Sequence, residues 1–471
     1  MGTYQDVYEG AQSDATGFWL EAANGIDWVT PPQTALDDSN PPFYRWFADG
    51  TLNTCFNAVD RHVDAGRGDQ VAIIYDSPIT GNASKMTYGA LQTATARFAG
   101  MLQSLGVEKG DRVIIYMPMI IESIVAMLGC ARLGAVHSVV FGGFAAAELA
   151  TRIDDAKPKA IISASCGHEP GRIVAYKPLL DEAIEIAAHK PDHCVIYQRE
   201  ALAADLVAGR DLEWHAAHEN APELPPVTVK ATDPLYVLYT SGTTGQPKGV
   251  VRDNGGHAVA LAWSMPNIYA TGPGDVYWAA SDIGWVVGHS YIVYAPLLAG
   301  CTTVLFEGKP VGTPDAGVFW RIISEHKVKV LFTAPTAFRA IKRADPDADY
   351  LDKYDTSSLE YLFLAGERAD PDTIIWAQDK LNVPVIDHWW QTETGWPMCA
   401  NPVGIEQLPI KLGSPSVPMP GYEIDILGED GSVKAPDELG SIAVRLPMPP
   451  ACLPTVWGAD AAFVEKYLTT F

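Results

Sequence analysis

Residues 239–249 read Tyr-Thr-Ser-Gly-Thr-Thr-Gly-Gln-Pro-Lys-Gly, a set of residue types suited to holding a polyphosphate. Gly242, Gly245 and Gly249 allow the backbone to turn tightly and approach a ligand closely. The hydroxyls of Thr240, Ser241, Thr243 and Thr244 and the cation of Lys248 crowd the same stretch. The apolar run Leu235–Tyr239 before it reads as a buried strand. A strand ending in glycines, hydroxyls and one lysine offers backbone N–H groups and a point charge to phosphate oxygens. It is not a Walker A loop, in which the lysine directly follows the second glycine. Lys248 instead stands three residues beyond Gly245 and is followed by Gly249.

Further motifs follow in order: Ser281-Asp-Ile-Gly-Trp-Val-Val-Gly-His-Ser-Tyr291, Thr333-Ala-Pro-Thr336, Leu364-Ala-Gly-Glu367 and Asp387-His-Trp-Trp-Gln-Thr-Glu-Thr-Gly395. Pro41-Pro-Phe-Tyr-Arg-Trp-Phe47 and Asn57-Ala-Val-Asp-Arg61 precede them. On these residues the chain resembles the adenylate-forming superfamily, in its acetyl- and propionyl-CoA synthetase branch. The resemblance runs from about residue 15 to the end. It implies attack of a carboxylate on the α-phosphorus of ATP, giving acyl-AMP and pyrophosphate, then transfer of the acyl group to CoA. Such chemistry depends on positioning and charge neutralisation rather than on a side-chain nucleophile.

The resemblance also implies roles. Lys248 and the loop hydroxyls (Ser241, Gly242, Thr243, Thr244 and Gly245 forming the loop) face the β- and γ-phosphates. Thr240 and Glu393 offer hard oxygens to Mg²⁺. Thr392 contacts the α-phosphate. Gly366, Glu367 and Arg368, with the strip Asp387, His388, Trp389 and Gln391, cradle the adenosine. Alone, Glu393 reads as a solvated carboxylate; the surrounding Trp-Trp-Gln-Thr-Glu-Thr-Gly motif gives it a function. His289 reads as structural, because two-step adenylation needs no base there.

Trp390 implies a closed acyl pocket, completed by Val286, Val287 and Ala365. Acetate-selective relatives carry threonine at the place of Val287 and valine at that of Ala365. Valine to alanine frees two methylene-sized units, each worth about 0.8 kcal/mol when buried. Propionate or 3-hydroxypropionate is therefore expected over acetate. Trp285 matches the aromatic that gates the CoA tunnel. Phe141, Gly142 and Gly143 resemble the loop meeting the CoA nucleotide, and Arg172 a cation near its 3′-phosphate. Glu169 stands where relatives have a second arginine, which sets a repulsive charge beside that phosphate.

Strand–helix alternation must position these residues. Asp111–Tyr116, Val136–Phe141, Lys159–Ser163, Val328–Thr333, Leu359–Leu364 and Val383–Asp387 read as strands; Ile120–Leu133 and Gly317–His326 read as helices. The pattern predicts an α/β fold with two largely parallel sheets covered by helices, and ligands at the carboxyl ends of strands. From about Leu408, prolines and short runs predict a small antiparallel, barrel-like subdomain. The domains expected are thus 1–407 and 408–471, with Ala201–Val227 as a surface excursion. Relatives continue beyond the point where Phe471 stands into a small C-terminal lid with a catalytic lysine. The expected parent is a stand-alone ligase or the ligase module of a fused propionyl-CoA synthase.

Composition bounds the rest. The 471 residues carry 33 Lys plus Arg against 57 Asp plus Glu, a net charge of −24 that argues against nucleic acid or an anionic membrane as partner. Seven cysteines, odd in number and never spaced as C-x-x-C, predict reduced thiols in a cytoplasmic setting. The polar opening Met1–Asp6 is not leader-like, and Glu122 and Arg132 break the most apolar stretch. Arg67-Gly68-Asp69 and Asn82-Ala83-Ser84 read as chance tripeptides. The expected activity is an AMP-forming short-chain acyl-CoA synthetase using ATP, Mg²⁺ and CoA. Two other readings stay open: an amino-acid or other carboxylate adenylation domain, or a fragment that binds nucleotide but is inactive without a C-terminal domain.

Overall fold

A computed structural model describes residues 2–240 and 247–470. The phosphate-loop residues Ser241, Gly242, Thr243, Thr244 and Gly245 lie outside the described residues. Two seven-stranded sheets form the body. The first runs, in spatial order, through Asp211–Glu213, His193–Tyr197, Ala160–Ala164, Arg112–Tyr116, Val136–Val139, Pro234–Thr240 and Lys248–Asp253. The second runs through Val385–Asp387, Tyr361–Leu364, Val330–Thr333, Val276–Ala279, Thr302–Phe306, Val71–Ser77 and Asn82–Thr87. Each sheet is parallel except for one hairpin edge, Lys248–Asp253 in the first and Asn82–Thr87 in the second. The central strands are buried along their whole length, as expected where helices cover both faces.

Local chemistry sets the connecting helices. Thr87 caps Tyr88–Ser104 by accepting a hydrogen bond from the Ala90 N–H at 3.2 Å. Ile121–Leu133 ends at Gly134, whose φ of 78° a side chain would resist. That helix is buried almost throughout, and Arg132 is tolerated inside because Asp60 pairs with both arms of its guanidinium, at 2.7 and 3.1 Å.

The stretch expected as a surface excursion is partly structural. Asp211–Glu213 adds a parallel edge strand beside His193–Tyr197, and Trp214 is buried against Phe98 with ring centroids 5.1 Å apart. The Asp211 side chain is fully buried between Lys177, at 2.9 Å, and Arg210, at 2.6 Å. A charge network on the sheet edge and the apolar area of one tryptophan draw this segment inward.

After residue 400 the pairing is antiparallel: Cys399–Ala400 with Val417–Pro418, and Ile424–Leu427 with Ser441–Val444. The chain then returns to the first sheet, where Trp457 N–H donates to the Gly249 carbonyl at 2.8 Å. The helix Asp460–Tyr467 follows. No helix among the described residues is long and apolar enough to cross a membrane.

Candidate active site

Four neighbouring parallel strands of the second sheet open at their carboxyl ends onto one cavity of about 570 Å³. Val276–Ala279 leads to Ala280 and Ser281, Val330–Thr333 to Ala334, Tyr361–Leu364 to Ala365 and Gly366, and Val385–Asp387 to the segment Trp390–Glu393. The volume falls in the usual range for small-molecule sites, roughly 300–1,000 Å³. Trp390, Val286, Val287 and Ala365 line one part, and Gly366, Gln391, Thr392 and Glu393 another. Trp390 is 9% exposed and packs edge-on against Tyr291, with centroids 5.5 Å apart and planes at 82°. Gly366 takes a φ of 102°, a backbone state that L side chains rarely adopt.

The hairpin of the first sheet is tied to this cavity through Tyr467 of the helix Asp460–Tyr467. Thr240 and Lys248 are paired across the hairpin, so the two ends of the glycine-rich segment stand side by side. Lys248 Nζ lies 5.0 Å above the ring of Tyr467, whose hydroxyl donates to Glu393 Oε1 at 2.8 Å. Tyr467 therefore links the cation of the hairpin to the carboxylate of the cavity. Burial and the neighbouring Glu393 both push its phenol up.

Arg252 is the buried brace of this region. Its Nη1 donates to the carbonyls of Glu393, at 3.1 Å, and Ala451, its Nη2 to the Thr392 carbonyl, and its Nε to the Tyr236 hydroxyl at 3.2 Å. A Cβ at Gly395 would sit 2.8 Å from the guanidinium carbon, so glycine is required there. Sequence reading missed Arg252 and Tyr467. The signal for Arg252 was an arginine directly after the apolar pair Val250–Val251 in the strand Lys248–Asp253, buried in the structure.

A second cavity, of about 360 Å³, shares Ala280, Ser281 and Trp285 with the first. Phe141, Gly142 and Gly143 line it, and the Phe141 ring lies 5.9 Å from that of Trp285. Trp285 is 54% exposed, a wall common to both cavities. Glu169 and His168 reach this cavity, whereas Arg172 is turned back onto Glu169 in an exposed ion pair of 2.6 Å. The repulsive carboxylate noted in the sequence is thus engaged by the expected cation itself.

Other expected residues lie off the first cavity. His388 is fully enclosed: its Nδ1 meets the Leu364 carbonyl at 2.7 Å and its Nε2 the Tyr269 hydroxyl at 3.0 Å. Burial pushes it down to about 4, so the ring is a neutral core group, and it does not reach the cavity. His289 is likewise pushed down to about 4 by burial, with Nδ1 3.1 Å from the Trp285 carbonyl. Trp389 exchanges backbone hydrogen bonds with Cys399, at 2.8 and 3.1 Å, and packs partly buried on the core. Glu367 follows Gly366 but pairs with Arg339, while Arg368 lies near Gly413. Asp387 ends its strand half-buried, and burial raises its carboxyl to about 6.

A parallel-sheet body with a cavity at the strand ends is the arrangement in which α/β proteins bind small-molecule ligands. The description "AMP-binding enzyme" matches residues 59–449, and "Acetyl-coenzyme A synthetase N-terminus" matches residues 4–58. The chain belongs to the AMP-binding enzyme family, in its acetyl- and propionyl-CoA synthetase branch. It is 49% identical over 479 residues to the mitochondrial acyl-CoA synthetase short-chain family member 3 of Rattus norvegicus, covering 100% of this chain and 69% of that protein. It is 47% identical over 472 residues to the propionate–CoA ligase of Escherichia coli, covering 100% of this chain and 74% of the ligase. An uncharacterized protein of Pseudomonas aeruginosa is 50% identical over 469 residues, which are 100% of this chain and 75% of that one.

Proposed function

We propose that this chain is an AMP-forming short-chain acyl-CoA synthetase that activates propionate or 3-hydroxypropionate in preference to acetate. The observation carrying this reading is the pair of cavities that share Ala280, Ser281 and Trp285 as a common wall. One has an indole-walled end beside a polar end, and Trp285 stands between it and the second, lined by Phe141–Gly143. The acid would lie against Trp390, Val286, Val287 and Ala365, its carboxylate toward Thr392. ATP would lie along Gly366 and Gln391–Glu393, with its phosphates toward Lys248. CoA would enter past Phe141 and reach the acyl group by movement of Trp285.

Two anions must be brought together in this scheme, and the chain supplies positioning. Arg252 holds the carbonyls of Thr392 and Glu393, which orients both side chains toward the cavity. Thr240 and Glu393 offer the hydroxyl and carboxylate oxygens that Mg²⁺ prefers, and Tyr467 engages only Oε1 of Glu393 among the described residues. The ion would supply charge neutralisation on the phosphates. The apolar wall excludes water from the mixed anhydride, and its small volume beside Trp390 limits the acid to a few carbons.

Acid-dependent exchange of labelled pyrophosphate into ATP tests the first half-reaction, and thioester formation from synthetic propionyl-AMP and CoA tests the second. Propionate or 3-hydroxypropionate should drive exchange at lower concentration than acetate, and chelation of Mg²⁺ should abolish it. Exchange driven by amino acids and not by short fatty acids would sink the proposal.

A further inference from the structure

A third cavity, of about 450 Å³, lies away from the two at the strand ends. Thr271, Gly272 and Pro273 line it just before the strand Val276–Ala279, whose other end opens onto the candidate active site. The four-residue strand spans roughly 13 Å. Arg61, His62 and Arg67 from the two π-helical turns Phe56–Asp60 and Val63–Arg67 and the link between them form its cationic side.

The cations are built in, and among the described residues no carboxylate is in ion-pair contact with them. A guanidinium offers five N–H donors. Arg61 directs donors at the carbonyls of Gly25, at 2.9 Å, and Leu298, and at Asn57 Oδ1, at 3.4 Å. Arg67 directs one at His62 Nδ1, at 2.6 Å. The Nε of each arginine is buried without a hydrogen-bond partner among the described residues. Neither arginine has a carboxylate within salt-bridge distance there, although the chain carries a net charge of −24. Asp27, exposed at the rim, is the carboxylate lining this cavity. His62 is 2% exposed and touches the Leu297 carbonyl at 2.7 Å; burial and then the two arginines push it down to about 3, so it adds no charge of its own. Two like charges thus line one cavity, each guanidinium keeping terminal N–H groups beyond the bonds just named, and an oxyanion would satisfy those donors and the charge together.

We infer that this cavity is a second ligand site, separate from the active site, that takes a small oxyanion on the guanidinium groups of Arg61 and Arg67. Its remaining wall, Ala262, Pro266, Leu298 and Ala299, is apolar. A phosphate and a short carboxylate share the recognised chemistry, and titration separates them.

The full chain is titrated with inorganic phosphate, pyrophosphate and propionate, with binding followed by calorimetry and by hydrogen exchange of residues 56–67. At least one of the three anions should bind saturably at millimolar concentration or below and protect that segment; protection confined to phosphates, or to propionate, identifies the class. Arg67→Gln should weaken the binding about tenfold or more, and Lys248→Gln should leave the protection intact. Ala65→Glu, which sets a carboxylate at the exposed rim without touching the arginines, should abolish the protection while the thermal melt stays normal. Binding unchanged in both Arg67→Gln and Ala65→Glu, protection lost in Lys248→Gln, or no saturable protection by any of the three anions overturns the inference.

Discussion

On the proposed reading, Ala365 and Trp390 would set the size of the acid by what they leave empty. Ala365 is 6% exposed and ends the strand Tyr361–Leu364 against the face of the cavity that Trp390 closes. Ala365→Val fills that space with two methyl groups. Discrimination per methylene in an apolar pocket is about 1–3 kcal/mol, or roughly 10–200-fold. The ratio of kcat/KM for propionate over acetate should therefore fall about tenfold or more in Ala365→Val. Trp390→Gly should act in the opposite sense, with butyrate and pentanoate gaining on propionate. Steady-state kinetics over acids of two to five carbons checks both. An unchanged chain-length profile in either variant would remove these side chains from the acyl wall.

At the scale of elements, the strand Lys248–Asp253 organises the site through its buried charged end. Arg252 ties it to Thr392, Glu393 and Ala451, and truncation would leave those carbonyls unpaired at about 1–3 kcal/mol each. Arg252→Met should destabilise the fold by more than about 3 kcal/mol in denaturant melts and lower acid-dependent exchange even at temperatures where the protein remains folded. Asp253 follows it, and burial raises its carboxyl to about 7, with Asp387 at about 6 for the same reason. The folded chain binds protons on these groups at pH values where the unfolded chain, near its ordinary 3.8, has released them. Their contribution to stability is complete below about pH 4 and is lost as pH rises through 6 to 7. Asp253→Asn should thus lose less thermal stability between pH 5 and pH 8 than the parent chain, and an equal loss would contradict the sign. These effects also show where sequence was readable. Val330–Thr333 and Tyr361–Leu364 could be placed because β-branched or aromatic runs are closed by Pro or Gly, and the loops at their ends carried the motifs. Arg252 could not, because its partners lie 140 to 199 residues away. The burial of His388 off the first cavity was not legible for a related reason: alternation along Val385–Trp390 does not tell which neighbours face the core and which a cavity.

Across the whole molecule, the active-site region depends on how the two sheets are held together. Arg199, just beyond the strand His193–Tyr197 of the first sheet, pairs through both arms with Glu307, just beyond the strand Thr302–Phe306 of the second, at 2.7 and 2.9 Å. Tyr75 and Ser77 also donate to Glu307 Oε2, at 2.6 and 2.9 Å. Both charges are less than 10% exposed, and Glu307 lines the second cavity, which shares Trp285 with the first. Breaking such a pair by removing one partner leaves a buried charge uncompensated, at about 3–5 kcal/mol, whereas removing both can be nearly neutral. Glu307→Gln should therefore lower the denaturation midpoint strongly, and Arg199→Met combined with Glu307→Leu should recover most of that loss. If the pair also fixes the spacing of the sheets, the double variant should regain stability while its KM for CoA stays raised and its pyrophosphate exchange stays near that of the parent. A double variant with parental KM for CoA would show that the clasp stabilises the fold without shaping the second cavity.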